Sequence, residues 1–312
     1  MRRTSTAGRL PLGLALVLLG AAFCSVSAEG PSAPPEPTFR SDVSEVRMTF
    51  SATDENNHVI ATIQPGDFAV VDHDIVVRQF RSFSRSEYTR MDVAVLVDSS
   101  GSVARKFRQM MATAMQLVTD SNGVPDDCFS LIAFQNVAPT VLCQGNCRAL
   151  DMGSRFPMVT SGSLTPLYDS IVFAARLLGQ RGDLHTRRIL LLLSDGADTI
   201  SLHCLRDALE SALENDVTIY SVDVSDGPHL DPGTLVLRML AADTAGRYFP
   251  LESGADQALA AILEDFHAAY TVAYKLPSNA AGFHLVRILP ARDLRLHFHC
   301  RRGYYYPTSP EN

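Results

Sequence analysis

Two carboxylates and three hydroxyls stand in this chain where loops leave apolar strands. Asp98, Ser100 and Ser102 alternate within Asp98-Ser-Ser-Gly-Ser102. Thr165 lies in Ser163-Leu-Thr-Pro-Leu167, and Asp195 follows the apolar run 189–193 in Ser194-Asp195-Gly196. An all-oxygen set suits a hard divalent cation. Mg²⁺ is the first expectation, because it takes octahedral geometry and keeps some waters; Mn²⁺ and Ca²⁺ are open alternatives. Hydroxyl ligands are neutral, so the cation stays electron-poor and an acidic group from a partner can complete its shell. The same residue types also cap loops and helices, which is the competing reading for Asp98 and Ser102, and the preferred one for Asp198.

Such loops need a sheet to aim them. Residues 93–97 and 189–193 are continuous apolar runs, as strands covered on both faces require. Further strands are expected at 128–134, 137–142, 217–224 and 248–251. Helices are expected from 107 to 117 and over 167–178, 202–213, 235–242 and 255–268. Strands alternating with helices imply right-handed crossovers, hence an α/β fold with a doubly wound, mostly parallel sheet. Ligand sites in such sheets form at the carboxyl ends of the strands, where the five oxygen-bearing residues fall.

The ends of the chain read differently. Short strands are expected from 43 to 50 and over 59–63, 68–71 and 75–77, and again over 270–276, 285–289 and 294–306. They flank the α/β block, and the expectation is that they pack together as one small β-domain. The organisation is then a signal peptide (1–28), a Pro-rich linker (29–40), an N-terminal β segment (41–88), the α/β domain (90–268) and a C-terminal β segment (269–307). Arg2, Arg3 and Arg9 precede an apolar run that ends at Val26-Ser-Ala28, the pattern of a cleaved secretory leader. Phe23 before Cys24 argues against a lipoprotein. Removing a 28-residue leader with three Arg and no acid leaves 284 of the 312 residues and takes the formal charge from -7 to -10. That acidity excludes bulk attraction to nucleic acid, and no later stretch is long and apolar enough to span a membrane. Only Lys106 and Lys275 among the 27 basic residues are lysine, which reads as a GC-rich bacterial source. The expected compartment is periplasmic or extracellular.

In an oxidising compartment Cys143 and Cys147, four apart in a polar segment, are the candidate disulfide. Cys128 and Cys204 lie in apolar segments and are expected to be buried. His297 and His299 alternate on one strand, with His284 as a candidate third, but ordinary strand histidines explain them better than a metal site. Arg181-Gly-Asp183 is a three-residue match of the kind chance produces. There is no Gly-x-Ser-x-Gly elbow and no Walker A loop, so an enzyme is not expected.

The pattern Asp98-x-Ser100-x-Ser102, Thr165 and Asp195 in Leu-Ser-Asp-Gly resembles the metal-ion-dependent adhesion site of von Willebrand factor type A domains. The strand–helix order from 92 to 267 is similar to that fold. The resemblance implies that Ser100 and Ser102 ligate directly, that Asp98 acts through water or orients the serines, and that Thr165 and Asp195 complete the shell. Pro65-Gly-Asp-Phe-Ala-Val-Val71, Leu167-Tyr-Asp169, Asp195-Gly-Ala-Asp-Thr199 and Arg302-Gly-Tyr-Tyr305 further resemble the VWFA-related domain proteins of acidobacteria. The implied function is metal-dependent protein binding or adhesion, with the partner offering an acidic side chain. Two alternatives stay open: an assembly component of an envelope complex in which the metal only stabilises loops, and a hydrolase with a non-standard site.

Overall fold

The structure, a computed structural model, describes residues 45–85, 90–120, 128–145, 147, 163–181, 186–226, 230–251, 260, 263–265, 268–278 and 280–306. The expected leader, linker and Asp183 lie outside these residues, as does most of the expected 255–268 helix.

A six-stranded sheet forms the centre, in the order β10 (Tyr248–Pro250), β9 (Val217–Asp223), β8 (Arg187–Ser194), β5 (Met91–Asp98), β6 (Phe129–Gln135), β7 (Ala138–Gln144). All neighbours are parallel except β6 and β7, which form an antiparallel pair. Strand alternation splits the apolar runs between two cores. Val93, Val95, Val97, Ile189, Leu191 and Leu193 face the α1 side (Phe107–Asp120), with Met110, Met111 and Ala114. Ala94, Leu96, Leu190 and Leu192 face α2 (Leu167–Gly179), α3 (Leu205–Glu214) and α4 (Pro232–Asp243). Truncating one of these fully buried leucines to Ala would cost about 2–5 kcal/mol.

The terminal strands do pack together, as two antiparallel four-stranded sheets. One runs β13 (His297–Cys300), β1 (Glu45–Thr53), β11 (Tyr270–Lys275), β4 (Phe80–Arg85). The other runs β14 (Gly303–Tyr306), β12 (Gly282–Pro290), β2 (Phe68–Asp72), β3 (Ile75–Val77). Their inner faces share one core, in which the Phe50 and Phe68 rings lie 4.9 Å apart. Buried Asp72 joins the sheets by accepting from Tyr274 Oη at 2.9 Å and Tyr304 Oη at 2.7 Å.

Three expected elements change. Residues 59–63 form no strand, only a bridge from Val59 to Thr53. The Ile60 N–H reaches the Ala52 carbonyl at 2.8 Å, but the Tyr270 hydroxyl takes up the Ile63 N–H at 3.0 Å and donates to the Ile60 carbonyl at 3.1 Å, so a side chain stands where a ladder would continue. The expected 294–306 strand splits into β13 and β14. Arg301 bridges to Thr244 and the Arg302 N–H donates to the Asp243 carbonyl, which turns the chain from one flanking sheet into the other. Helix α3 starts at Leu205, not 202, because Asp169 accepts from the Leu202 and His203 N–H groups and Asp207 from that of Cys204. Cys204 is thereby exposed, against expectation, while Cys128 is buried.

Candidate metal centre

Strand β5 ends in Asp98, and its loop turns back at once. The Asp98 Oδ1 accepts from the Ser100 N–H at 2.8 Å, and Ser99 is pinned to the Phe134 carbonyl through both its N–H and its hydroxyl, at 3.0 and 2.9 Å. Asp98, Ser99 and Ser100 are fully buried, whereas Ser102 is exposed. The Ser100 and Ser102 hydroxyls stand 3.1 Å apart and so point to a common place. The Gly101 N–H reaches the Ser163 carbonyl at 3.4 Å and ties this loop to the one carrying Thr165. Thr165 is buried, its N–H donating to Thr199 Oγ1 at 2.7 Å and its carbonyl accepting from the Thr199 N–H at 2.9 Å.

Ser194, at the end of β8, is the residue that motif reading missed. Its hydroxyl donates to Asp98 Oδ2 at 2.7 Å and accepts from the Gly196 N–H at 3.1 Å. Val97 pairs with Leu193 in the β5–β8 register, so the next residues, Asp98 and Ser194, are neighbours. Asp195 is half-buried and its Oδ1 accepts from the Ala197 N–H at 3.1 Å. The turn depends on Gly196, whose φ is +77° and whose Cβ, were there one, would collide with the Gly233 backbone. Burial pushes the Asp98 carboxyl up to about 6. The Ser100 and Ser194 hydrogen bonds oppose that rise and the like charge of Asp195 adds to it.

Asp198 acts as the cap expected of it: Oδ1 accepts from the Tyr168 N–H of α2 at 3.3 Å and from the Ser201 hydroxyl. Asp169 answers from the helix, holding the 202–203 backbone and His203 Nδ1 at 2.7 Å. Lys106 fastens the start of α1 to the loop after β9 through the Val224 and Ser225 carbonyls at 2.7 and 2.9 Å.

The family model of the von Willebrand factor type A domain matches residues 92–264, more than half of the chain. The chain belongs to this family. Within solved structures, this von Willebrand type A chain is similar to an aerotolerance-related membrane protein from Bacteroides fragilis, with 16% identity over 57% of this chain and 98% of that one, at a TM-score of 0.43. It is also similar to the ArnB paralog VWA2 from Sulfolobus acidocaldarius, with 14% identity over 86% and 76% of the two chains, at a TM-score of 0.42. A third is the manganese-loaded TRAP protein of Plasmodium vivax, with 15% identity over 72% and 98%, at a TM-score of 0.43. No curated protein matches the chain.

The von Willebrand type A domain thus links the Asp98, Ser100 and Ser102 loop to Ser163 beside Thr165, and sets the charge of Asp195 against Asp98. The other sequence candidates do not join this centre. Cys143 and Cys147 are bonded to each other, with Cα atoms 5.6 Å apart, at the end of β7. His299 Nε2 contacts Thr53 Oγ1 at 3.0 Å, whereas His284 lies in the other flanking sheet and meets the Ala280 carbonyl at 2.7 Å. Among the described residues no three His, Cys, Asp or Glu side chains gather as a metal cluster, so a centre here depends on its hydroxyls. Among the same residues no helix is long and apolar enough to cross a membrane.

Proposed function

We propose that this domain is a binding module, not an enzyme, that holds a divalent cation through Asp98, Ser100, Ser102, Thr165 and Asp195 and so engages an acidic side chain of a protein partner. The observation that carries this reading is the Asp98 carboxylate. It is fully buried beside the like charge of Asp195, and the largest effects acting on it are burial, two serines and that carboxylate, none of them a positive charge. Burying one carboxylate beside a second is costly unless a cation offsets them. The donor set, two carboxylates and three hydroxyls, fits a hard ion, with Mg²⁺ first. A bound cation supplies the positive charge that lets an acidic group approach an acidic protein.

The surroundings fit a macromolecular partner. Leu164, Val137, Leu202 and Leu230 are 44%, 82%, 95% and 77% exposed. All four lie on loops tied to the centre. Asn136 exchanges hydrogen bonds with Leu164, Asp169 of α2 holds the Leu202 N–H, and Leu230 precedes Asp231, which shares a cleft with Asp195. Exposed apolar residues around a polar centre are the composition of a protein interface. The leader pattern at 1–28 and the Cys143–Cys147 bond support a periplasmic or extracellular setting.

A capture experiment from the native envelope tests the reading. Wild-type protein should retain its partner in Mg²⁺ and lose it in EDTA. Asp98→Ala should lose it in both, with an unchanged circular dichroism spectrum. Equal capture in all conditions would remove the proposal.

A further inference from the structure

The three loops of the candidate centre are not tied to one another equally. The first meets the third through the Ser194 hydroxyl on Asp98 Oδ2, and the second through the Gly101 N–H and the Ser163 carbonyl, at a long 3.4 Å. The second and third are joined over a longer stretch, 165–169 against 198–203. Thr199 bonds Thr165 twice: its N–H donates to the Thr165 carbonyl at 2.9 Å, and its Oγ1 accepts from the Thr165 N–H at 2.7 Å. Further along, Asp198 Oδ1 accepts from the Tyr168 N–H at 3.3 Å and Ser201 Oγ from the Asp169 N–H at 3.1 Å. The Asp169 carboxylate returns to the His203 N–H at 2.9 Å.

Thr199 does more in this junction than close it. Thr165 is buried and Thr199 exposed. A buried N–H must find an acceptor, and Thr165 stands before α2, in neither helix nor strand, so no regular ladder supplies one. The Thr199 hydroxyl is that acceptor. The Thr165 N–H belongs to the peptide plane before its Cα and the Thr165 carbonyl to the plane after it. Holding both planes fixes the two soft dihedrals of the residue, and with them the direction in which its side chain leaves. Thr199 therefore sets where the Thr165 hydroxyl stands. Thr199 also lies four residues after Asp195 in the same loop, whose turn is closed by the Ala197 N–H on Asp195 Oδ1 at 3.1 Å. One exposed residue thus spans the two proposed ligands Thr165 and Asp195.

We propose that Thr199 is a positioning residue of the centre, whose hydroxyl acts through Thr165 to fix the Thr165 hydroxyl against Asp195. The inference rests on the reading of the centre as a divalent-cation site. A ligand left free to swing must be ordered when the ion binds, which is why residues that hold metal ligands affect affinity without being ligands themselves. A threonine hydroxyl brings no charge to a cation, so its contribution depends on its placement more than that of a carboxylate does. Ser201 supplies the contrast. It belongs to the same junction, but its hydroxyl bonds Asp169 and Asp198, so its loss loosens the junction without freeing the Thr165 N–H.

The test uses the full chain, first free of divalent cations and then titrated with Mn²⁺, the free ion being read by electron paramagnetic resonance. In the metal-free protein the Thr165 amide should exchange with solvent roughly tenfold faster in Thr199→Val than in wild type, and Thr199→Ser should restore the slow rate. Mn²⁺ affinity should fall by roughly tenfold in Thr199→Val and stay within about threefold of wild type in Thr199→Ser and Ser201→Ala. Thr199→Ala, which deletes the hydroxyl with less bulk, should match Thr199→Val. Equal Mn²⁺ affinity in wild type, Thr199→Val and Thr199→Ala, or equal losses in Thr199→Val and Ser201→Ala, would overturn the proposal while leaving the cation reading intact. A wild-type chain that binds no Mn²⁺ would overturn the cation reading and the proposal with it.

Discussion

At the carboxyl ends of β5 and β8 the chain gathers Asp98, Ser194 and Asp195, with hydroxyls and an apolar rim; at the amino ends of the same strands it gathers Arg90, Arg187 and Arg188 beneath a second sheet. A parallel sheet makes this separation, because every strand enters at one edge and leaves at the other. The acidic end is built from short local loops, where Asp and Ser bond the backbone two residues on. The basic end is built from residues far apart in sequence, Arg47 on β1 and Arg301 after β13 among them, and exists only once the β13-β1-β11-β4 sheet has formed. The two ends differ in how they manage burial. Asp98 is set among serines and another carboxylate, while Arg187 and Arg247 share a buried counter-ion, Asp265, with Arg247 Nη1 2.7 Å from Asp265 Oδ1.

The strongest way to break this contrast is at that counter-ion. Asp265→Ala removes the carboxylate that half-buried Arg247 pairs and buried Arg187 faces, and is expected to cost about 3–5 kcal/mol in denaturant unfolding. A loss below about 1 kcal/mol would mean that Arg187 and Arg247 are satisfied without it. At the other end, Ser194→Ala removes the donor that orients Asp98 Oδ2. Divalent-cation affinity should fall by roughly 10–100-fold with little change in melting temperature, as loss of an outer-shell partner does. An unchanged affinity would separate Ser194 from the centre.

A smaller effect reads the burial of His299 on β13. Burial, with the charges of Arg247 and His297, lowers His299 from its ordinary 6.5 to about 4. The folded state therefore binds fewer protons than the unfolded chain between those values. Stability from this group is present above pH 6.5 and is lost as pH falls towards 4. His299→Gln should flatten the acid limb of the stability curve by about 1–3 kcal/mol. An identical limb in the variant would contradict the assignment.

Much of the acidic end was legible in the sequence. The runs 93–97 and 189–193 are too apolar and too short for anything but covered strands, and the residues after them fall on the ligand-binding edge. Ser194 was not legible, because its role depends on the pairing of β8 with β5. Residues 59–63 misled for a similar reason: they have strand composition, but the Ile63 N–H and the Ile60 carbonyl are claimed by Tyr270, 207 residues away from Ile63. The basic end was out of reach altogether. Nothing local places Thr271 between Thr49 and Ser84, since the pairing joins the two ends of the chain across the whole α/β block.

The central claim is that Asp98 and its four companions hold a divalent cation, and calorimetric titration of the purified protein with Mg²⁺ and Mn²⁺ tests it most directly. The account predicts saturable binding of one ion per chain that disappears in Asp98→Ala while the fold persists. Binding of equal strength in Asp98→Ala, or no saturable binding by the wild-type chain, would contradict it.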